Sequence, residues 1–338
     1  MRWLLITFLL CPFLLPAQLP PQWEEIRSLY EEGKVYAGLK RADKELHRKE
    51  ADRRFLVLRA DGRNRIGDHW KASTDAREAL QIVPVELKHE AALQLGIALA
   101  GLGVHDSARY WFEESARNSG NKEALLRLAR MEIASGESIK AKEKLDRILA
   151  SDPKHVKALL ERGAAHMDLG DTTAAKKDLD LAVELAPRDP IAWNSRGFHL
   201  YARREMHQQA IEDYDRAIKL DPNYSFAFNN RGWSYFKLGD KDKAKKNIHL
   251  AGRKRPNNPF VHRNLGLISL AEGDTTAACA QFRKAASLKF EAMHGNEVDQ
   301  LIAEHCGDVP IPEDQRPATT PPARSNAPRS NAPRSNAP

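Results

Sequence analysis

Cysteine is scarce in this sequence, with three residues in 338. That excludes a disulfide-stapled mini-domain and any zinc centre built from cysteine clusters. The twelve histidines are scattered without ligand spacing, so no metal site is expected. No apolar run reaches the roughly 20 residues a membrane-crossing helix needs. Glycine-rich phosphate loops, a Gly-x-Ser-x-Gly elbow, a His-Glu-x-x-His pair and a dinucleotide fingerprint are all missing. The sequence therefore predicts no enzyme, no cofactor and no metal. Aromatics are few, at 7%. The net charge of +7 comes from basic residues mostly interspersed with acids, which predicts solvated faces rather than a nucleic-acid groove.

What is present is repetition. Ala192-Trp193-Asn194-Ser195-Arg196-Gly197 returns as Phe226-Ala227-Phe228-Asn229-Asn230-Arg231-Gly232. Each copy runs into an apolar helix, a polar turn and a second helix with two alanines (Ala210 and Ala217; Ala244 and Ala251), then a proline (Pro222, Pro256). Gly163, Gly197, Gly232 and Gly266 fall 34 or 35 residues apart, the period of a stacked helical repeat. Small residues at these positions let antiparallel helices approach closely, and Ala175, Ala210, Ala244 and Ala278 are expected to meet the glycines from the second helix. The proline ends each second helix. A turn glycine recurs as Gly170, Gly239 and Gly273. The unit starting at Pro190 lacks it and carries one extra residue around Ala202-Arg203-Arg204-Glu205, which predicts a looser turn.

This spacing of small residues closely resembles the tetratricopeptide repeat family, across residues 53–292 and more weakly back to residue 18. The resemblance implies an all-α, right-handed α-solenoid of about seven to eight helix-turn-helix repeats. Residues 18–52 form a degenerate first repeat, and residues 293–307 form a capping helix that covers the last repeat. It also implies a non-catalytic scaffold that binds a protein or peptide on its concave face. Carried over register by register, that face comprises Asn194, Phe198 and Tyr201; then Phe226, Asn229, Trp233, Phe236 and Lys237; then Arg263 and Leu267. Rings and amides of this kind suit an extended peptide. Phe198, Trp233 and Phe236 equally suit packing between repeats. The lysine, asparagine and arginine set of the chaperone-tail clamp is not found at matching positions.

One departure from the family is an arginine before the repeat glycine, at Arg162, Arg196 and Arg231. Acids at Asp178, Asp180, Asp213 and Asp215 predict an arginine–aspartate ladder between stacked helices. The other reading is a basic stripe for an acidic peptide.

The two ends are of different character. Residues 1–17 read as a signal peptide, with Arg2, an apolar Leu4–Leu15 run and Ala17 near the cleavage point, so the mature protein is expected to be exported, without a transmembrane segment. An uncleaved anchor is the other reading. Two cysteines then remain, Cys279 and Cys306, either paired or free. Residues 308–338 hold eight prolines, no aromatic and three Arg-Ser-Asn-Ala-Pro repeats, the composition of a disordered tail. Its four arginines make it either a spacer or a weak tether to an anionic surface. Three functions remain: an exported peptide-binding scaffold, which the groove residues favour; an envelope component that binds anionic polymer through its basic tail or surface; and an accessory subunit of an enzyme assembly.

Overall fold

The computed structural model describes residues 19–288, 290 and 295–307. The signal-peptide and tail assignments lie outside the described residues. The described chain is all-α. It divides into two units, the first ending at Arg204 and the second beginning at Glu205.

The first unit holds five helical hairpins: α1 (Pro21–Glu31) with α2 (Val35–Leu46), α3 (Phe55–Arg65) with α4 (His69–Ile82), α5 (Val85–Gly101) with α6 (His105–Ser119), α7 (Lys122–Ala134) with α8 (Ser138–Ser151), and α9 (Val156–Asp168) with α10 (Thr172–Leu185). It ends with α11 (Pro190–Arg196), a π-helical turn over Gly197–Tyr201 and a short 3-10 turn over Ala202–Arg204. The second unit comprises α12 (His207–Leu220), the hairpins α13 (Ser225–Lys237) with α14 (Lys241–Lys254) and α15 (Pro259–Ala271) with α16 (Thr275–Ser287), and α17 (Glu297–His305).

In four hairpins the turn between the helices is encoded by a glycine followed by an aspartate, at Asp68, Asp171, Asp240 and Asp274. Gly170 adopts φ +80°, a left-handed conformation that side chains disfavour. That bend lets the Gly170 and Asp171 amides donate to Met167 and His166 carbonyls at 3.3 and 2.9 Å, closing α9. The Asp171 carboxylate then accepts from the Ala174 amide at 3.0 Å and opens α10. Gly239-Asp240 and Gly273-Asp274 do the same.

The unit that lacks this glycine solves the problem differently. Its extra residue is absorbed by the π-helical turn, and Glu205 takes the left-handed conformation itself, at φ +57°. The expected looser turn is instead a wider helical turn followed by a strained residue.

The repeat glycines make close approaches, but their partners differ from expectation. A Cβ on Gly163 would lie 2.6 Å from Leu179, one on Gly96 2.6 Å from Phe112, and one on Gly266 2.4 Å from Phe282. In each case the partner is a large side chain sixteen residues later. Ile248 holds that place for Gly232 at 2.6 Å, with the Ala244 carbonyl also at 3.0 Å. The missing Cβ thus accommodates a branched or aromatic side chain, not a second small residue. Ala175, Ala210, Ala244 and Ala278 are fully buried on the second helices. Gly197 is buried where the π-helical turn begins.

Beside these crossings runs the ladder. Arg162 donates from Nε and Nη2 to Asp178 at 2.7 and 2.9 Å, and from Nη1 to Asp146 at 2.7 Å. Arg59 repeats this with Asp75 at 2.8 and 2.7 Å and Asp43 at 2.9 Å. The partners lie sixteen residues after and sixteen before the arginine. Each guanidinium therefore joins the second helix of its own hairpin to the second helix of the preceding one. Arg196 reaches back to Asp180 at 3.0 Å. Arg231 reaches back to Asp215 at 2.5 Å and forward to Asn247 at 2.9 and 2.7 Å. Hydrogen bonds to Asp178 lead the effects that raise the Arg162 pKa above its usual value. Burial alone would push Asp146 upward, but hydrogen bonds from Lys142 and Arg162 outweigh it and hold the carboxyl below its usual value. Its contribution to stability is therefore complete above about pH 4 and is lost as pH falls through the lower folded value.

The far end is covered by α17, whose Val298 packs with Phe282 and Phe290. Cys279 and Cys306 are joined in a disulfide with their Cα atoms 5.6 Å apart.

The crossings set an order of stability losses. Arg162→Ala strands Asp178, which is 4% exposed, and is expected to cost about 3 kcal/mol. Arg231→Ala, facing a neutral Asn247 and an exposed Asp215, should cost only about 1 kcal/mol. Urea melts of both variants check the order. Glu205→Gly should stabilise by about 1 kcal/mol by relieving the left-handed strain, and a lowered midpoint would contradict that account.

Candidate functional site

In the first unit the first helices of five consecutive hairpins, α1, α3, α5, α7 and α9, line one cleft of about 580 Å³. The positions that reach it follow the repeat. Val57 and Leu93 stand three residues before the small residues Ala60 and Gly96, and Asp61 and Ile97 stand one residue after them. Asn64 and Arg65 add the next turn of α3. These are the registers the sequence assigns to the groove in later repeats, at Asn194 and Phe198, Asn229 and Trp233, and Arg263 and Leu267.

Charge in the cleft is mixed and paired. Arg27 meets Glu90 at 2.6 Å, Arg65 meets Asp61 at 2.9 Å, and Arg127 meets Glu123 at 2.8 Å. Burial raises the Asp61 carboxyl above its usual range, and the nearby Arg65 and Arg27 offset this only in part. Burial also raises the Tyr30 phenol, which stays protonated and donates to the Leu58 carbonyl at 3.0 Å. Asn64 donates its amide to the Gln94 carbonyl and side-chain oxygen at 2.9 and 3.0 Å. Such a wall offers apolar area, amide hydrogen bonds and charges of both signs, which suits recognition of a polypeptide.

The groove residues expected from the sequence divide between the units. Asn194, Phe198 and Tyr201 belong to the first. Asn194 is buried, Phe198 is 41% exposed, and Tyr201 lies half-buried with the Arg196 guanidinium 5.7 Å from its ring centroid.

In the second unit Trp233 and Phe236 lie with ring centroids 5.2 Å apart and planes tilted by 36°. The Arg263 guanidinium and the Lys237 ammonium stand 4.8 and 5.8 Å from the Trp233 centroid. Arg263 is held by Glu297 of α17, with Nε at 3.2 Å, and by Asn264 at 2.8 Å. Phe226 lies against Arg255, and Leu267 is part of the terminal core. Asn229 is buried and accepts from Asn264 at 3.1 Å, so its amide oxygen serves the contact between α13 and α15. Of the second-unit set, Trp233, Phe236 and Lys237 keep accessible surface beside one another.

The ladder arginines 59, 162 and 231 are engaged by acids or amides, so they do not form a stripe open to an acidic ligand. Sequence reasoning missed the first-unit cleft because its repeats match the pattern least well. The signal was the register itself, since Asp61 and Ile97 hold the place of Trp233.

Stacked helical hairpins whose first helices line a cleft define a helical-repeat scaffold. The repeat is the tetratricopeptide repeat, and this chain carries it in both units. Family models match as "TPR repeat" over residues 199–239, and as "Tetratricopeptide repeat" over 126–190 and 230–258. A tetratricopeptide repeat protein from Parabacteroides merdae is similar in structure, with TM-score 0.60 and 21% identity, covering 74% of this chain and 97% of that one. The APC/C hetero-tetramer Cut9–Hcn1 is similar with TM-score 0.60 and 18% identity, over 84% of this chain and 55% of that one. Yeast Tom70 gives TM-score 0.56 and 13% identity, over 85% and 61%. At these identities the likeness is one of fold. A comparison with curated proteins returned no match.

Proposed function

We propose that this protein is an exported, non-catalytic scaffold that holds a partner protein through an extended segment laid across the first helices of its repeats. The observation that carries the reading is the first-unit cleft, where five successive first helices contribute to one wall. Side chains from one register of successive hairpins recur along it, which matches an extended chain better than a compact small molecule. The wall holds no nucleophile set against a general base, so it is suited to binding and not to a reaction. The Trp233, Phe236 and Lys237 cluster is the corresponding surface of the second unit. Export is supported by the apolar leader-like start of the sequence and by the Cys279–Cys306 pairing, which an oxidising compartment sustains.

Affinity capture from the exported fraction tests this reading. A specific protein should be retained by the wild type. Arg65→Glu and Trp233→Ala should each reduce retention at least tenfold while shifting the melting temperature by only a few degrees. If both variants retain the partner fully, the groove assignment fails. If each loses partner only in proportion to lost stability, these side chains are structural.

A further inference from the structure

The chain's basic charge is not spread evenly. Between Arg231 and Arg263 ten lysines and arginines face two acids, Asp240 and Asp242, a net +8 against +7 for the entire protein. Four of the ten are compensated by carboxylates: Arg231 by Asp215, Lys243 by Asp240, Lys245 by Glu272 and Arg263 by Glu297. The other six meet no carboxylate among the described residues. Lys241 and Lys254 donate to uncharged oxygens of Ala271 and Asn223, and Lys237 and Arg255 lie over aromatic rings. Lys246 and Arg253 stand exposed, with no partner among the described residues.

Five of these six belong to α14 or the residue after it. The helix buries Ala244, Asn247, Ile248 and Ala251 and turns Lys246, His249 and Arg253 outward at spacings of three and four residues, so they share one face with a single acid, Asp242. Lys241 begins the track and Lys254 and Arg255 end it, over a helix about 20 Å long. Uncompensated like charges on one helix repel. In the ladder, by contrast, the basic side chains are matched to acids or amides.

The geometry points to α14 as a binding track for a linear, phosphate-bearing polyanion, separate from the peptide-binding face of the first helices. The shape of the charge selects a linear ligand over a bilayer. The exposed α14 side chains include no apolar group to insert between lipids. The flanking second helices do not extend the charge into a plane. The exposed charges of α12 balance, Arg216 and Lys219 against Glu212 and Asp215, and α16 adds a single exposed cation, Lys284.

Long-chain inorganic polyphosphate is the probe, with binding to the full-length protein followed by fluorescence anisotropy from about 50 to 200 mM salt. Wild type should bind, and Lys246→Gln/Arg253→Gln should bind about tenfold more weakly at the low-salt end. The slope of log affinity against log salt should shrink by about one and a half, because two cations no longer neutralise phosphates. Lys140→Gln/Lys176→Gln, which removes two cations paired with acids in the first unit, should bind like wild type. Replacing the four tail arginines, Arg316, Arg324, Arg329 and Arg334, with glutamine should also leave binding unchanged. No binding by wild type would overturn the proposal, as would equal loss in the two double variants, or loss confined to the tail variant. Binding to phosphatidylglycerol vesicles without binding to polyphosphate would overturn it in favour of a membrane surface.

Discussion

The structure depends on one steric fit. In four hairpins a glycine in the first helix (Gly96, Gly163, Gly232, Gly266) leaves a space one methyl group wide, and a leucine, isoleucine or phenylalanine sixteen residues later fills it. Adding a carbon there would force a contact below 3 Å into the middle of a helix crossing, where the packing has little room to yield. The close approach sets the distance between the two helices. That distance lets an arginine beside the small residue, Arg59 before Ala60 or Arg162 before Gly163, touch acids on two successive second helices. Packing and charge pairing therefore share a single register, and the first-helix surface opposite the crossing is left free to form a binding wall.

The ladder shows how the charge is managed at these crossings. A buried carboxylate such as Asp178 is costly unless paired, and a bidentate guanidinium offsets most of that cost without adding much net stability. Its effect is on specificity. A hairpin slipped by one residue would leave both acids of Arg59 or Arg162 unmatched. The α14 face is the contrast, because its cations have no such counterpart within the described residues.

The fold was legible because the residues that specify it are small, periodic and intolerant of substitution. Gly163, Gly232, Gly266 and the Gly-Asp turns mark the helices directly in the sequence. What fills the space at each crossing was not legible, since a period shows where a residue recurs and not which partner it meets. Leu179 and Phe282 look like ordinary core residues until the helices are placed. The groove was harder still. Its register could be carried over, yet pattern strength drew attention to the later repeats, while the first-unit cleft is built from Asp61, Asn64, Arg65 and Ile97, whose residue types carry no repeat signature. Asn229 was assigned by register to the surface but is buried against Asn264, a contact visible only once neighbouring hairpins are stacked.

A stack of hairpins held by neighbour contacts opens most readily at its ends, where a hairpin has one neighbour instead of two. The Cys279–Cys306 bond closes a loop spanning 27 positions, from within α16 to the residue after α17, a constraint worth about 3–4 kcal/mol by chain entropy. The cap α17 is thereby tied to α16 against fraying. Within the second unit disassembly then has unequal starting points, and a protease or translocating machine that pulls on it from the carboxyl side meets a covalently closed loop before it meets a helix it can peel away.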